Sequence, residues 1–231
     1  MNPLVIAIIA SILAPFAIAC SLKLIDIGSN FANYILKYGP IVACLLGVVA
    51  VFNFMLVDTL ELLSIQNAAL VGVLSLIASS LLVFFADIIR RGLLTPKRAK
   101  SRKSGRVSGV SVSALFVVDL ISGIIAGAVA GVSFVLNIGT GVIVICALMM
   151  LILDQKIKLI QRYQKAHLSR AENITLLMST LVAFPVVASL TCFFTRRLYA
   201  YMGAFLALAL GYLLSLSLIK AVEIVKKLRK S

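Results

Sequence analysis

Seven apolar runs, each about as long as a membrane is thick, set the terms on which this chain can fold. They fall at roughly 3–22, 38–60, 68–89, 112–134, 136–154, 173–194 and 198–219 of 231 residues. A helix needs on the order of 20 apolar residues to cross the hydrocarbon core of a bilayer. Hydrophobic residues make up 62% of the chain, and its mean hydropathy is +1.13. A soluble domain is nearer half apolar, so an excess of this size calls for lipid as the covering phase rather than one buried core. Backbone in lipid must satisfy its own hydrogen bonds, which directs runs of this length into helices. The expected fold is all-α: a polytopic integral membrane protein with about seven transmembrane helices in one bundle, and no separate soluble domain over residues 1–231.

Charge predicts the orientation. Basic residues cluster between the third and fourth runs (Arg90, Arg91, Lys97, Arg98, Lys100, Arg102, Lys103, Arg106), after the fifth (Lys156, Lys158, Arg162, Lys165, Arg170) and at the end of the last (Lys220, Lys226, Lys227, Arg229, Lys230). With the N-terminus outside, these segments and Lys23 and Lys37 all face the cytoplasm, and of the 22 Lys and Arg only Arg196 and Arg197 remain outside. The opposite topology inverts that ratio against the positive-inside rule. The chain is expected to be N-outside, C-cytoplasmic and multi-pass in the cell membrane. Met1-Asn2-Pro3 puts no basic residue ahead of the first run, so an uncleaved helix is expected there rather than a secretory leader.

The net charge of +14 is thus mostly an insertion signal. It also makes a cytoplasmic field that holds anionic lipid head groups or another polyanion. The loop over 90–111 is rich in Ser, Gly and basic residues and is expected to be flexible. Its Lys97, Arg98, Lys100, Arg102, Lys103 and Arg106 are the candidate contacts for lipid or polyanion. Nucleic acid is a weak expectation, because no aromatic residue in that loop could stack on bases.

The fourth run combines a packing motif with an ionisable group. It reads SALFVVDLISGIIAGAVAGVSFVLN from Ser113 to Asn137, with Gly123, Gly127 and Gly131 at intervals of four and Asp119 one interval earlier. Four residues is slightly more than a helical turn, so the four share one slowly drifting stripe, a glycine zipper that lets a neighbouring backbone come close. An ionised carboxylate at the depth of Asp119 costs several kcal/mol unless paired or hydrated. Two readings stand: an aspartate that specifies helix pairing, or a proton or cation site on a path bounded by Ser122, Gly123 and Gly127.

The sixth run gathers Ser179, Thr180, Ser189 and Thr191 around Pro185. Hydroxyls there either return hydrogen bonds to backbone freed by the proline or line a hydrated path facing Asp119. Elsewhere, Gly39-Pro40 is expected to open the second span and Asn137 to Gly141 to form an outer turn. Asp87 is expected to pair with Arg90 and Arg91 at the inner interface.

His167 is the one histidine, and Cys20, Cys44, Cys146 and Cys192 form no close pair, so neither a metal site nor a cofactor is expected. No phosphate loop, nucleophile elbow or paired carboxylates point to an enzyme. The expected function is membrane transport, as a channel or carrier for an ion or solute, with Asp119, Ser122, Gly123, Gly127, Ser179 and Thr180 as the candidate path. The alternative is a non-catalytic channel subunit of a multi-protein machine, for example one for nucleic-acid import or secretion. Its basic loops would dock a cytoplasmic ATPase or a polyanion. The lipid bilayer is the expected partner, with a homo-oligomer or membrane-complex partners left open.

Overall fold

A computed structural model describes residues 5–6, 8–13, 29–65, 67–94, 109–165 and 170–229, and among these every regular element is a helix. A short helical piece over 8–13 precedes a long helix built in three parts: α1 (Ser29–Val49), a π-helical turn (Ala50–Met55) and α2 (Leu56–Ile65). There follow α3 (Ala69–Leu94), α4 (Gly109–Leu136), α5 (Ile138–Lys165), α6 (Arg170–Arg197), a 3₁₀ turn (Tyr199–Tyr201) and α7 (Met202–Leu228). Four stretches are long and apolar enough to cross a membrane: Lys37–Ile65, Ala69–Ile89, Phe116–Leu136 and Met202–Lys226. Ile138–Ile152 is a shorter apolar helix.

Three tight reversals make neighbours antiparallel. Between α2 and α3, Asn67 takes a left-handed conformation (φ 48°) and the Ala68 amide donates to the Leu63 carbonyl at 3.0 Å. Asparagine tolerates that conformation better than most side-chain-bearing residues, and the bond satisfies a carbonyl at the helix end. Between α4 and α5 a single residue suffices. The Asn137 side-chain oxygen accepts from the Gly139 amide at 2.9 Å, and its backbone carbonyl accepts from Gly141 at 3.0 Å, an N-cap for α5. Gly139 and Gly141 are therefore inside α5 rather than in an outer turn, and a Cβ on Gly141 would overlap the buried Phe134 ring. Between α6 and α7 the Tyr201 amide donates to Leu198 at 2.9 Å.

The other ends run further than apolarity alone predicts. α5 continues through the basic residues to Lys165, and α3 and α4 reach into the 90–111 loop from both sides, to Leu94 and from Gly109. The expected loop contacts Lys97 to Arg106 lie outside the described residues. Pro40 is interior to α1, not at its start, because the helix begins at Ser29. Length is set here by hydrogen bonding and by charged side chains extending to the polar phase, both of which outlast the apolar run.

The helices approach most closely where they lack side chains. A Cβ on Gly127 would lie 2.6 Å from the Phe184 carbonyl of α6, and one on Gly131 would overlap the Ala188 carbonyl and come within 2.9 Å of the Thr191 Cβ. Both contacts advance by four residues in the same direction, so α4 and α6 run parallel in register. α7 is met similarly on two sides. Gly211 takes the Ser79 hydroxyl and the Leu76 backbone of α3, while Gly47 of α1 sits under the Ser217 hydroxyl. Ala126, Ala130, Phe134, Phe184, Ala188, Leu206, Leu210 and Leu213 form part of one continuous core around these crossings. The outer faces carry many exposed Leu, Val, Ile and Phe, among them Leu70, Leu74, Phe84, Phe85, Val117 and Phe194.

Replacing Gly131 with leucine has to push two backbones apart, and overpacking of this kind costs about 1–3 kcal/mol. We expect Gly131→Leu to lower the unfolding temperature in detergent clearly. Gly139→Ala, where the nearest atom to the new Cβ is Asn137 Oδ1 at 3.6 Å, should leave it within error.

Candidate functional site

A polar side chain in an apolar helix first turns to its own backbone. Ser122 donates to the Val118 carbonyl at 2.8 Å, Ser133 to Val129 at 2.7 Å, Thr59 to Met55 at 2.6 Å and Ser189 to Pro185 at 2.8 Å. Each spans four residues, the back-bonding that neutralises a hydroxyl in an apolar setting. Ser122, a candidate for the path, is half-buried and engaged in this way. Ser189 returns a bond beside Pro185, which lies inside α6.

Carboxylates and amines cannot be absorbed so cheaply. Asp119 is 9% exposed in the lower half of α4, on the face opposite Val117, Ile121 and Ile124, which are exposed. Asp119, Ala126, Ala130 and Ser133 recur at seven, four and three residues, the repeat of a single helical face, and all four are buried. Asp119 takes part in at least one polar or electrostatic interaction. Gly127 and Gly131 lie on the adjoining flank against α6, and Gly123 is half-buried on the same helix. The α4–α6 register, carried two turns back, brings Asp119 level with residues 176–180. Ser179 and Thr180 belong to that part of α6, but their side chains lie outside the described residues.

Lys220 is a finding that apolar-run reading missed. The run stops at residue 219, so Lys220 counts as a terminal positive charge in sequence, whereas α7 continues to Leu228 and leaves it 5% exposed. Its ammonium donates to Glu223 Oε2 at 3.1 Å, one turn further on. The signal was the acid at i+3, a spacing that puts the two groups on one helix face. Next to it, the Ser217 hydroxyl is buried without a hydrogen-bond partner, pressed against Gly47, while the Ser217 carbonyl accepts from Cys44 Sγ at 3.6 Å.

Several further charges sit toward helix ends. Asp87 is half-buried in α3 and is polar-partnered, while the Arg90 and Arg91 side chains expected to hold it lie outside the described residues. Asp58 and Glu61 of α2, and Arg196 and Arg197 of α6, stand at the end with the tight reversals, where the Arg197 guanidinium lies 4.5 Å from the Phe193 ring centre. Among the described residues no group of three His, Cys, Asp or Glu is close enough to hold a metal ion. Cys44, Cys146 and Cys192 are free thiols. No family model matches the chain, and no curated protein or solved structure is significantly similar to it.

A buried hydroxyl without a partner costs about 1–3 kcal/mol of desolvation. Ser217→Ala removes that penalty without leaving a large void, so its unfolding temperature should equal or exceed that of the wild type.

Proposed function

We propose that the chain is a multi-pass protein of the cell membrane that passes an ion or a small solute through its helix bundle, as a channel or carrier. In this reading the bundle crosses the bilayer seven times, with its N-terminus outside and its C-terminus in the cytoplasm. Antiparallel neighbours support that arrangement. Successive reversals at 67–68, 137 and 198–201 gather at one end of the bundle, and the end bearing Lys226 and Arg229 is the other. Exposed Lys37, Lys226 and Arg229 suit contact with anionic lipid head groups at the cytoplasmic face.

The observation that carries the transport reading is Asp119, an ionisable side chain on the interior face of a helix whose exposed side, among the described residues, is Val117, Ile121 and Ile124. A carboxyl group so placed is expensive to bury, and intramembrane carboxylates characteristically mark ion and proton pathways. Small residues, Ser122, Gly123, Ala126 and Gly127, stand along its face and flank, with the α6 backbone closing on Gly127. No catalytic role is proposed.

Reconstituted into liposomes, Asp119→Asn should cut solute or ion flux by tenfold or more while the protein still inserts and runs as one species on gel filtration. The competing assignment, a non-catalytic subunit that docks an ATPase or polyanion, reverses the pattern. Asp119→Asn would then be mild, whereas neutralising Lys97, Arg98, Lys100, Arg102 and Lys103 together would release the partner on co-purification.

A further inference from the structure

Two buried charges of opposite sign lie on helices that pack against each other, and each faces away from its own helix's exposed side. On α4 the exposed side is Val117, Ile121 and Ile124; on α7 it is Leu208, Leu218, Val222 and Val225. Opposite these run Asp119, Ala126 and Ser133 on α4, and Leu206, Leu213 and Lys220 on α7, all buried and both sets at seven-residue steps. Two seven-residue steps return to nearly the same angle on a helix, so each set marks one interior face.

Depth matches as well as direction. Asp119 is 17 residues below the Leu136 end of α4, and Lys220 is 18 residues below the Met202 end of α7. At 1.5 Å per residue both lie about 26 Å from the end of the bundle that carries the tight reversals. Aligned there, the antiparallel helices put Lys220 at the level of Asp119, Leu213 at that of Ala126 and Leu206 at that of Ser133. Ala126, Ala130, Leu206 and Leu213 belong to the same core cluster. In this structure the Lys220 ammonium sits on Glu223.

We propose that Lys220 is the interior counter-cation of Asp119, joining α4 to α7, and that a cation or proton reaching Asp119 does so in competition with this tethered ammonium. The geometry gives the ammonium two seats. One is Glu223, half-exposed and one turn toward the C-terminal end, where it sits at 3.1 Å; the other is Asp119, level with its own Cα and buried. When Asp119 is neutralised by a proton or screened by a bound cation, Glu223 keeps Lys220 paired. When that cation leaves, Lys220 restores neutrality at Asp119. Other ionisable groups on the helices packed against α7 are Asp87, Arg90 and Arg91 on α3, Tyr34, Lys37, Tyr38 and Cys44 on α1, and Asp58 and Glu61 on α2, the last two at the opposite end. The competition step rests on the transport reading above, whereas the pairing does not.

A double-mutant cycle on folding tests the pairing without any flux assay. Lys220→Met leaves Asp119 a lone buried charge and should shift the unfolding equilibrium by roughly a hundredfold or more, whereas Asp119→Asn leaves Lys220 on Glu223 and should be milder. Adding Asp119→Asn to Lys220→Met should recover most of that loss, and Glu223→Gln should couple to Asp119→Asn, because together they strip Lys220 of both seats. Independent, additive effects of Asp119→Asn and Lys220→Met would overturn the pairing. Should either single variant fail to insert, Asp119→Cys with Lys220→Cys, made in a background lacking the native cysteines, removes both charges at once. Efficient oxidative cross-linking of that variant supports the pair, and no cross-link with a short bifunctional thiol reagent overturns it. Loss of coupling with flux still dependent on Asp119 would refute the counter-cation while sparing the transport reading.

Discussion

The bundle depends on backbones that touch. In water an apolar helix face associates because association removes it from solvent, but a lipid tail is as apolar as a leucine, and that drive is absent between helices in a bilayer. What remains is van der Waals contact at close range, which grows as side chains shrink. Gly127 and Gly131 bring α4 onto the carbonyls of Phe184 and Ala188, Gly211 brings α7 onto the backbone of Leu76, and Gly47 admits the Ser217 hydroxyl. These crossings place α4 and α7 at the centre and send the bulky Leu, Ile, Val and Phe outward.

The same closeness decides which polar groups matter. Hydroxyls at Ser122, Ser133, Thr59 and Ser189 fold back onto carbonyls four residues away, so they can line a tight interior without asking anything of a neighbouring helix. An aspartate or a lysine cannot fold back onto its own backbone so cheaply. Lys220 meets Glu223 one turn further along its own helix, and Asp119 is the buried acid of the interior.

Sequence conveyed the class of fold well, because hydrophobic run length and basic clustering are properties of single segments. The apolar cores of the second, third, fourth and last runs recur as helices long enough to cross a membrane, with shifted ends. Ends were the weak point: α5 and α7 carry on through their lysines, and Ser29 rather than Gly39 opens α1, because backbone hydrogen bonding ignores the change in polarity. The stripe at Gly127 and Gly131 was readable from spacing, but its partner on α6 was not, since nothing in PVVAS announces a carbonyl waiting for a glycine. Asp119 could be singled out as an acid within an apolar run. Lys220 could not, because at the end of a run a lysine marks orientation until the helix is seen to continue past it.

The π-helical turn at Ala50–Met55 has a consequence for how the first long helix meets its neighbours. Ala43, Gly47 and Ala50 are buried up to its first residue, and Val51, Met55, Thr59 and Leu63 from its second residue onward. Ala50 and Val51 are adjacent yet both interior, which a uniform α-helix manages poorly because each residue turns about 100° from the last. The wider turn, closed by the Leu56 amide donating to the Val51 carbonyl, takes up that difference. It acts as a phase shifter, letting α1 aim at α5 and α7 while α2 keeps its own setting against α7 and α3. One residue more or fewer at this point would rotate one half of the rod against the other. Chain length there, as much as side-chain chemistry, tunes which faces of the bundle meet.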